Sequence, residues 1–253
     1  TGAPVSEWTL TGLSLAASAF ATFVANNNGI GLRDAIYGGN DTITGGSLGE
    51  FLAAYGGVDT IQGGGGDDTI LANGGLAGET YDGGTGLDTL QVMVGASSIP
   101  AGAAADFSAA ALASIERVEF SPDNGVFTAA IFSSNQFGAG GLASNLVVIG
   151  NNLTNLVIFN LANAATLDLS GVSFLGWTGP VQNDRIQVNG SAGNDAINGS
   201  SQNDVIIAGA GLDVVHAGAG GDNVRVNQGD FVAGEVLDGG ADVDTLAVSG
   251  VVD

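Results

Sequence analysis

Aliphatic side chains recur every nine residues in two parts of the chain, and each stands two positions after an acidic residue. In the first part the acid and aliphatic pairs are Asp41 and Ile43, Glu50 and Leu52, Asp59 and Ile61, and Asp68 and Ile70. In the second part they are Asp195 and Ile197, Asp204 and Ile206, Asp213 and Val215, and Asp222 and Val224. A single apolar residue between polar neighbours is typical of a short strand that places one side chain in a core. The pattern therefore predicts one minimal strand per repeat.

Glycine-rich turns such as 63–66 and 209–211 precede these strands, and glycine reaches the positive φ values that tight turns need. Two nonapeptides are expected to complete one turn of a coil, so that alternate repeats stack about 4.8 Å apart. Stacking brings Asp41 close to Asp59 and Glu50 close to Asp68, and these like charges require a cation between them. Carboxylate and main-chain carbonyl oxygens together favour Ca2+, and Mg2+ is the weaker candidate.

The chain also repeats on a larger scale, since 78–84 returns as 234–240 and a further acidic copy follows each block at 83–90 and 239–246. Long-period repetition of this kind indicates a solenoid. Between the blocks, short apolar runs such as Leu146–Ile149 alternate with Asn- and Gly-rich turns, which predicts further solenoid rungs. Helical spacing of apolar residues predicts two short helices, over Ser14–Asn26 and Phe107–Ser114.

These patterns divide the chain into five predicted segments. They are an incoming solenoid or helix-cap segment at 1–33, a first β-roll at 34–91, a plain β-solenoid at 92–189, a second β-roll at 190–248 and the start of a next segment at 249–253. The sequence starts at Thr1 without a methionine, so we expect a fragment or a processed product.

Composition narrows the possible functions. The formal net charge is −22, with 26 acidic residues against four arginines and no lysine, so a nucleic-acid partner is excluded. No apolar run has the length of a membrane span, and the absence of cysteine excludes zinc-thiolate and thiol chemistry. The single histidine, His216, is expected to face solvent. The formal G-x-S-x-G match at 45–49 is interpreted as an ordinary turn, and we expect no enzymatic activity.

The two acidic blocks resemble the RTX (repeats-in-toxin) nonapeptide repeats of secreted bacterial proteins. The resemblance implies an all-β fold, a right-handed parallel β-roll with several Ca2+ ions bound between turns, and export by a type I secretion system to the outside of the cell or its surface. Carried over by position, the implied side-chain ligands are Asp41, Asp59, Asp68, Asp88, Asp195, Asp204, Asp213, Asp222 and Asp244. The implied carbonyl ligands include Gly57, Gly64, Gly66, Gly193, Gly209, Gly211, Gly218 and Gly220.

The repeats depart from the family pattern at several positions. Leu48 and Gln202 replace the fourth-position glycine, Glu50 replaces an aspartate, and the first repeat begins with Ile36 and Tyr37 in place of two glycines. We therefore expect about two to four ions per roll.

The resulting functional prediction is a calcium-binding extracellular structural protein. An adhesin stalk, a surface-layer or extracellular-matrix component and a filament subunit all fit this description. Its partners would be calcium ions together with further repeats of the same chain or a head-to-tail neighbour. The alternative is the non-catalytic RTX region of a secreted protease or lipase. Further copies of the long repeat outside this sequence would favour the first function, and an HExxH or lipase serine motif would favour the second.

Overall fold

A computed structural model describes residues 9–11, 39–53, 56–72, 77–92, 104–120, 128–138, 140–151, 153–177 and 184–250. The strands of these residues are β1 (Thr9–Thr11), β2 (Thr42–Thr44), β3 (Phe51–Ala53), β4 (Thr60–Gly65), β5 (Thr69–Ala72), β6 (Thr80–Thr85), β7 (Thr89–Val92), β8 (Ala104–Asp106), β9 (Ala111–Ala113), β10 (Ile115–Phe120), β11 (Thr128–Ser133), β12 (Leu142–Ile149), β13 (Asn155–Asn160), β14 (Thr166–Asp168), β15 (Ser173–Leu175), β16 (Arg185–Asn189), β17 (Ala196–Asn198), β18 (Asp204–Ile207), β19 (Val214–His216), β20 (Asn223–Asn227), β21 (Val236–Asp238) and β22 (Thr245–Ser249). A 3-10 helix, Ser134–Gln136, lies between β11 and β12. The helix predicted over Ser14–Asn26 falls outside the described residues.

The strands form four sheets in which every pairing is parallel except that of β1 with β2. In spatial order, sheet 1 is β1-β2-β4-β6-β9, sheet 2 is β15-β12-β10-β7-β5-β3, sheet 3 is β22-β20-β18-β16-β13-β11-β8 and sheet 4 is β14-β17-β19-β21. The parallel β-roll and β-solenoid predicted from the sequence is confirmed. No helix among the described residues has the length and hydropathy to cross a membrane.

The nine-residue period places alternate repeats on top of each other. Ile43 pairs with Ile61 in sheet 1, and Leu52 pairs with Ile70 in sheet 2. In the second block Ile197 pairs with Val215 across β17 and β19. All eight aliphatic residues of the two blocks are buried in one core. Two nonapeptides therefore make one coil, as the sequence predicts, because strands eighteen residues apart are paired.

A third strand joins the coil between the two blocks. The successive strands β8, β9 and β10 belong to sheets 3, 1 and 2, and β13, β14 and β15 belong to sheets 3, 4 and 2. Sheet 2 runs from β3 to β15 and sheet 3 from β8 to β22, so the sheets continue across the predicted segment boundaries. The wider coil is filled by a stack of aromatic rings, with centroids 5.4 Å apart for Phe107 and Phe132 and 5.9 Å apart for Phe132 and Phe159.

The predicted helix over Phe107–Ser114 is wrong. The chain there turns into strand β9, which pairs with β6 in sheet 1. Phe107 is fully buried in the aromatic stack. The buried Gln136 amide donates hydrogen bonds to the carbonyl oxygens of Phe107 (2.7 Å) and Ala110 (2.8 Å). These contacts from another coil fix the backbone and override the local helical spacing.

Leu90→Ala is expected to lower the free energy of unfolding by about 2–5 kcal/mol, because the substitution leaves a cavity in the core. Leu90 is 0% exposed. The matched control is Leu87→Ala in the same turn, where the leucine is 48% exposed, and we expect a change within about 0.5 kcal/mol. Urea unfolding in saturating calcium measures both values, and equal effects would contradict the assigned register.

Candidate metal sites in the repeat turns

The repeat carboxylates lie inside the coil, at the point where each turn enters its strand. Asp59, for example, directly precedes β4, and Asp213 directly precedes β19. The repeat acids that are at most 7% exposed are Asp41, Glu50, Asp59, Asp68, Asp88, Asp195, Asp204, Asp213 and Asp222. Asp244, in the last described coil, is half-buried. Ionised groups are rarely buried this deeply unless a charge or hydrogen bonds compensate them.

One oxygen of most repeat carboxylates accepts a hydrogen bond from the backbone of the preceding coil. The Asp59 Oδ1 atom accepts the N–H of Asp41 at 2.8 Å. The same bond joins Asp68 to Glu50 (2.8 Å), Asp213 to Asp195 (2.9 Å) and Asp222 to Asp204 (2.8 Å). The acids consequently form columns along the solenoid, with each carboxylate held in a fixed orientation.

The columns extend beyond the nonapeptides through two acids that the sequence analysis missed. Glu116 Oε2 accepts the N–H of Asp88 at 2.8 Å, and Asp184 Oδ1 accepts the N–H of Asn155 at 2.6 Å. Each of the two acids stands two positions before an aliphatic residue, as in the repeats, but outside the nine-residue period. The available sequence signal for these two acids was their position two residues before an aliphatic residue.

The second carboxylate oxygen is the unusual feature of these turns. Among the residues that the structure describes, six of these atoms are buried without any hydrogen-bond partner: Asp41 Oδ2, Glu50 Oε1, Asp68 Oδ2, Asp88 Oδ2, Asp213 Oδ2 and Asp222 Oδ2. A buried polar atom without a partner costs about 1–3 kcal/mol, and more when it is charged. Six repetitions of the same costly arrangement indicate that another group binds there.

Burial also shifts the acidity of these groups. Loss of solvent raises the pKa of Asp59, Asp68 and Asp213, and the neighbouring acid of the same column raises it further. Burial raises the pKa of Asp222 to about 6 and that of Asp204 to about 8. Among the described residues no arginine lies within salt-bridge distance of a repeat carboxylate. The negative charge of the columns is therefore not offset by this part of the chain.

The glycine turns bring backbone oxygens to the same places. A Cβ atom on Gly63 would collide with the carbonyl oxygen of Gly83 and with the Asp68 carboxylate. Of the glycines predicted as carbonyl ligands, those with positive φ are Gly57, Gly64, Gly66, Gly209, Gly211, Gly218 and Gly220. Gly193 does not have positive φ. The turns thus pack backbone on backbone, which only residues without a side chain permit.

The donor set selects a hard cation. No group of three or more acidic or histidine side chains converges within the described ranges, and the oxygen atoms that the turns bring close together are those of carboxylates and main-chain carbonyls. Such all-oxygen sites suit Ca2+, which accepts six to eight ligands in flexible geometry. The unpaired carboxylate oxygens and the packed glycine carbonyls fit this ion.

Two other residues singled out by the sequence lie apart from the columns. His216 is exposed, and its Nδ1 atom lies 3.3 Å from Asp238 Oδ2. Ser47 is exposed in the turn between β2 and β3. Neither side chain contributes to the buried columns.

Comparison with known families agrees with this chemistry. The family model for the RTX calcium-binding nonapeptide repeat matches in four copies, over residues 37–47, 45–76 and 189–224. Searches among curated proteins and among solved structures found no significant match.

Proposed function

Because the chain carries RTX calcium-binding nonapeptide repeats, we propose that its two blocks are extracellular folding elements of a structural protein. The proposed ligands are the repeat carboxylates that have an unpaired buried oxygen, together with the carbonyl oxygens of the positive-φ glycines. When bound, Ca2+ supplies the positive charge and the coordination positions that the carboxylate oxygens lack. Folding of each block would then depend on the ion.

The observation that carries the proposal is the set of six buried carboxylate oxygens without partners. They recur at equivalent turns of both blocks, beside glycines whose backbones approach closely, so a chance defect at one turn does not explain them. A ligand that binds only the folded chain adds its binding energy to the stability of the fold. The columns would accordingly act as a calcium-dependent switch between an unfolded and a folded block.

The proposed location outside the cell follows from the strength of such sites. Cages built partly from neutral carbonyl oxygens in short turns bind calcium weakly, in the 10⁻⁴–10⁻³ M range typical of extracellular modules. A chain of this kind stays unfolded where calcium is scarce and folds where it is abundant. That behaviour suits a secreted or surface-exposed protein.

The proposed structural role rests on the continuity of the sheets. Sheets 2 and 3 overlap through the plain segment, so the two calcium blocks are joined by stacked rungs without a break in pairing. Four described phenylalanines of the segment, Phe107, Phe120, Phe132 and Phe159, are buried and so cannot form a surface platform of rings. A stalk, a surface-layer component or a filament subunit would use such a rod.

The Asp68→Asn substitution tests the calcium sites directly. Asp68 is buried and has one unpaired oxygen, whereas its neighbour Asp67 is exposed. We expect Asp68→Asn to raise the calcium midpoint of folding at least about tenfold, because one charged ligand is lost at the site. Without calcium the same variant should be no less stable than the unmodified chain, since the amide oxygen still accepts the Glu50 N–H and a repelling charge is gone.

The matched control is Asp67→Asn, which removes the same charge from the surface and keeps an oxygen that accepts the N–H of Leu87. Its midpoint should move less than about twofold, since exposed charges interact weakly. Circular dichroism against free calcium provides the midpoints, and calorimetry provides the number of bound ions. Equal shifts in the two variants would reject Asp68 as a ligand. A midpoint of the unmodified chain below about 1 μM would reject folding outside the cell.

A further inference from the structure

The second position of the nonapeptide distinguishes two classes among six of the described turns. In one class this position is a glycine with positive φ, and the carboxylate four residues later has a buried oxygen without a partner. These pairs are Gly64 and Asp68, Gly84 and Asp88, Gly209 and Asp213, and Gly218 and Asp222. In the other class, at the start of the second block, the position is a serine without positive φ, either Ser191 or Ser200.

Each serine satisfies the carboxylate of its own turn. The Ser191 backbone N–H donates to Asp195 Oδ2 at 2.7 Å, and the Ser191 hydroxyl lies 2.9 Å from the same oxygen. The Ser200 N–H donates to Asp204 Oδ2 at 2.6 Å, and its hydroxyl donates to Asp204 Oδ1 at 3.0 Å. Neither Asp195 nor Asp204 has a buried oxygen without a partner.

We propose that Ser191 and Ser200 take the place of a calcium ligand, so that the first coil of the second block folds without calcium. This inference rests on the proposed calcium-dependent folding of the other turns. The two serines form a lock, meaning the pair of side chains and N–H groups that bind Asp195 and Asp204. The locked coil is the fixed end from which the rest of the block folds as calcium binds.

The position of the lock supports this role. The locked coil stacks on the plain segment, where β17 pairs with β14 and β18 pairs with β16. The Asp195 Oδ1 atom also accepts the N–H of Ala165 from the plain segment at 2.8 Å. On the other side of the coil lie β19 and β20, which follow the unlocked Asp213 and Asp222. In a solenoid each coil is stabilised by its neighbours, so a folded coil is a template for the next one.

The first block contains only half of this arrangement. The N–H of Gly46 donates to Glu50 Oε2 at 2.9 Å, but Glu50 Oε1 remains buried without a partner. A glycine has no hydroxyl with which to bind the second oxygen. The first block should therefore depend on calcium from its first described coil, whereas the second block should not.

Hydrogen–deuterium exchange on the full chain tests the lock. In calcium-free buffer, the amides of β17 and β18 should exchange at least about tenfold more slowly than those of β19 and β20, because the N–H and the hydroxyl of each serine both bind the carboxyl group of its turn. The double variant Ser191→Gly, Ser200→Gly should abolish this difference without calcium, and added calcium should restore slow exchange in all four strands. The control is Ser201→Gly, at an exposed serine next to the lock, which should leave exchange unchanged.

The outcomes separate this inference from the proposed function. Equally fast exchange of β17–β18 and β19–β20 in the unmodified chain without calcium would overturn the lock and leave calcium-dependent folding intact. Slow exchange of both pairs and of the first block would instead overturn calcium-dependent folding. A double variant that exchanges like the unmodified chain, or that loses protection equally with and without calcium, would also overturn the lock. If the double variant does not fold at all, the comparison within the unmodified chain decides.

Discussion

Removal of calcium is expected to unfold the first block and the later coils of the second block, while the plain segment stays folded. Each ion present at 100 times its dissociation constant contributes about 2.7 kcal/mol. Two or more ions per block therefore exceed about 5 kcal/mol, which is the whole stability of a small domain. The plain segment does not depend on these columns, because its wider coil buries Phe107, Phe132 and Phe159. Excess chelator should thus remove part of the far-ultraviolet β signal, and limited proteolysis should cut within 39–92 and 209–250.

Magnesium is the control for this experiment. Added to the chelated chain at the same free concentration as calcium, Mg2+ should restore little of the lost signal, because it demands a smaller octahedral site and gives up its water reluctantly. A chain whose spectrum and cleavage pattern ignore chelator would refute calcium-dependent folding. Full recovery with magnesium would retain a metal-dependent fold but reject the selectivity for calcium.

The coil of the two blocks could be predicted because its rule is local and repeated. One aliphatic side chain every nine residues allows only one inward position per strand, and eighteen residues then separate stacked strands such as those of Ile43 and Ile61. The same register brings Asp59 against Asp41, so the columns of carboxylates also follow from the period. Tertiary contacts do not override this pattern, because the same pairing recurs in every coil of the two blocks.

The remaining features depend on contacts between distant residues. The strand β9 replaces a predicted helix because Gln136, in the next coil, binds the carbonyl oxygens of Phe107 and Ala110. The two classes of turn could not be predicted either. The sequence shows a serine in place of a glycine, but it does not show which carboxylate oxygen accepts the hydrogen bond of the serine N–H. The continuation of the columns through Glu116 and Asp184 involves partners 28 and 29 residues away. A nine-residue period does not predict hydrogen bonds between residues this far apart in the sequence.

Acid is expected to replace calcium in part, so that the calcium-free chain is most stable near pH 4 and loses stability as the pH rises to 8. The folded-state pKa is raised from the ordinary 3.8 to about 6 for Asp222 and to about 8 for Asp204. The folded chain therefore binds more protons than the unfolded chain in this window, and its free energy of unfolding falls with increasing pH. The contribution is fully present below the unfolded pKa and is lost as the pH passes through each folded pKa.

Calcium should reverse this dependence, because protons compete with the ion for the same carboxylate oxygens and weaken its binding at low pH. Thermal unfolding should be measured at pH 4.5, 6 and 7.5, in buffer freed of calcium on a chelating resin and again with calcium added. The dependence of stability on pH should have opposite signs in the two series.

Repulsion among exposed carboxylates also decreases in acid, but added salt screens exposed charges far more than buried ones. The slope of the calcium-free chain should accordingly persist in about 0.5 M sodium chloride, where the Debye length is only a few ångströms. A slope that vanishes in salt would assign the effect to the net charge of −22 and not to the buried columns. A calcium-free chain that becomes more stable from pH 4.5 to 7.5 would show that the buried carboxylates are already compensated without any ion.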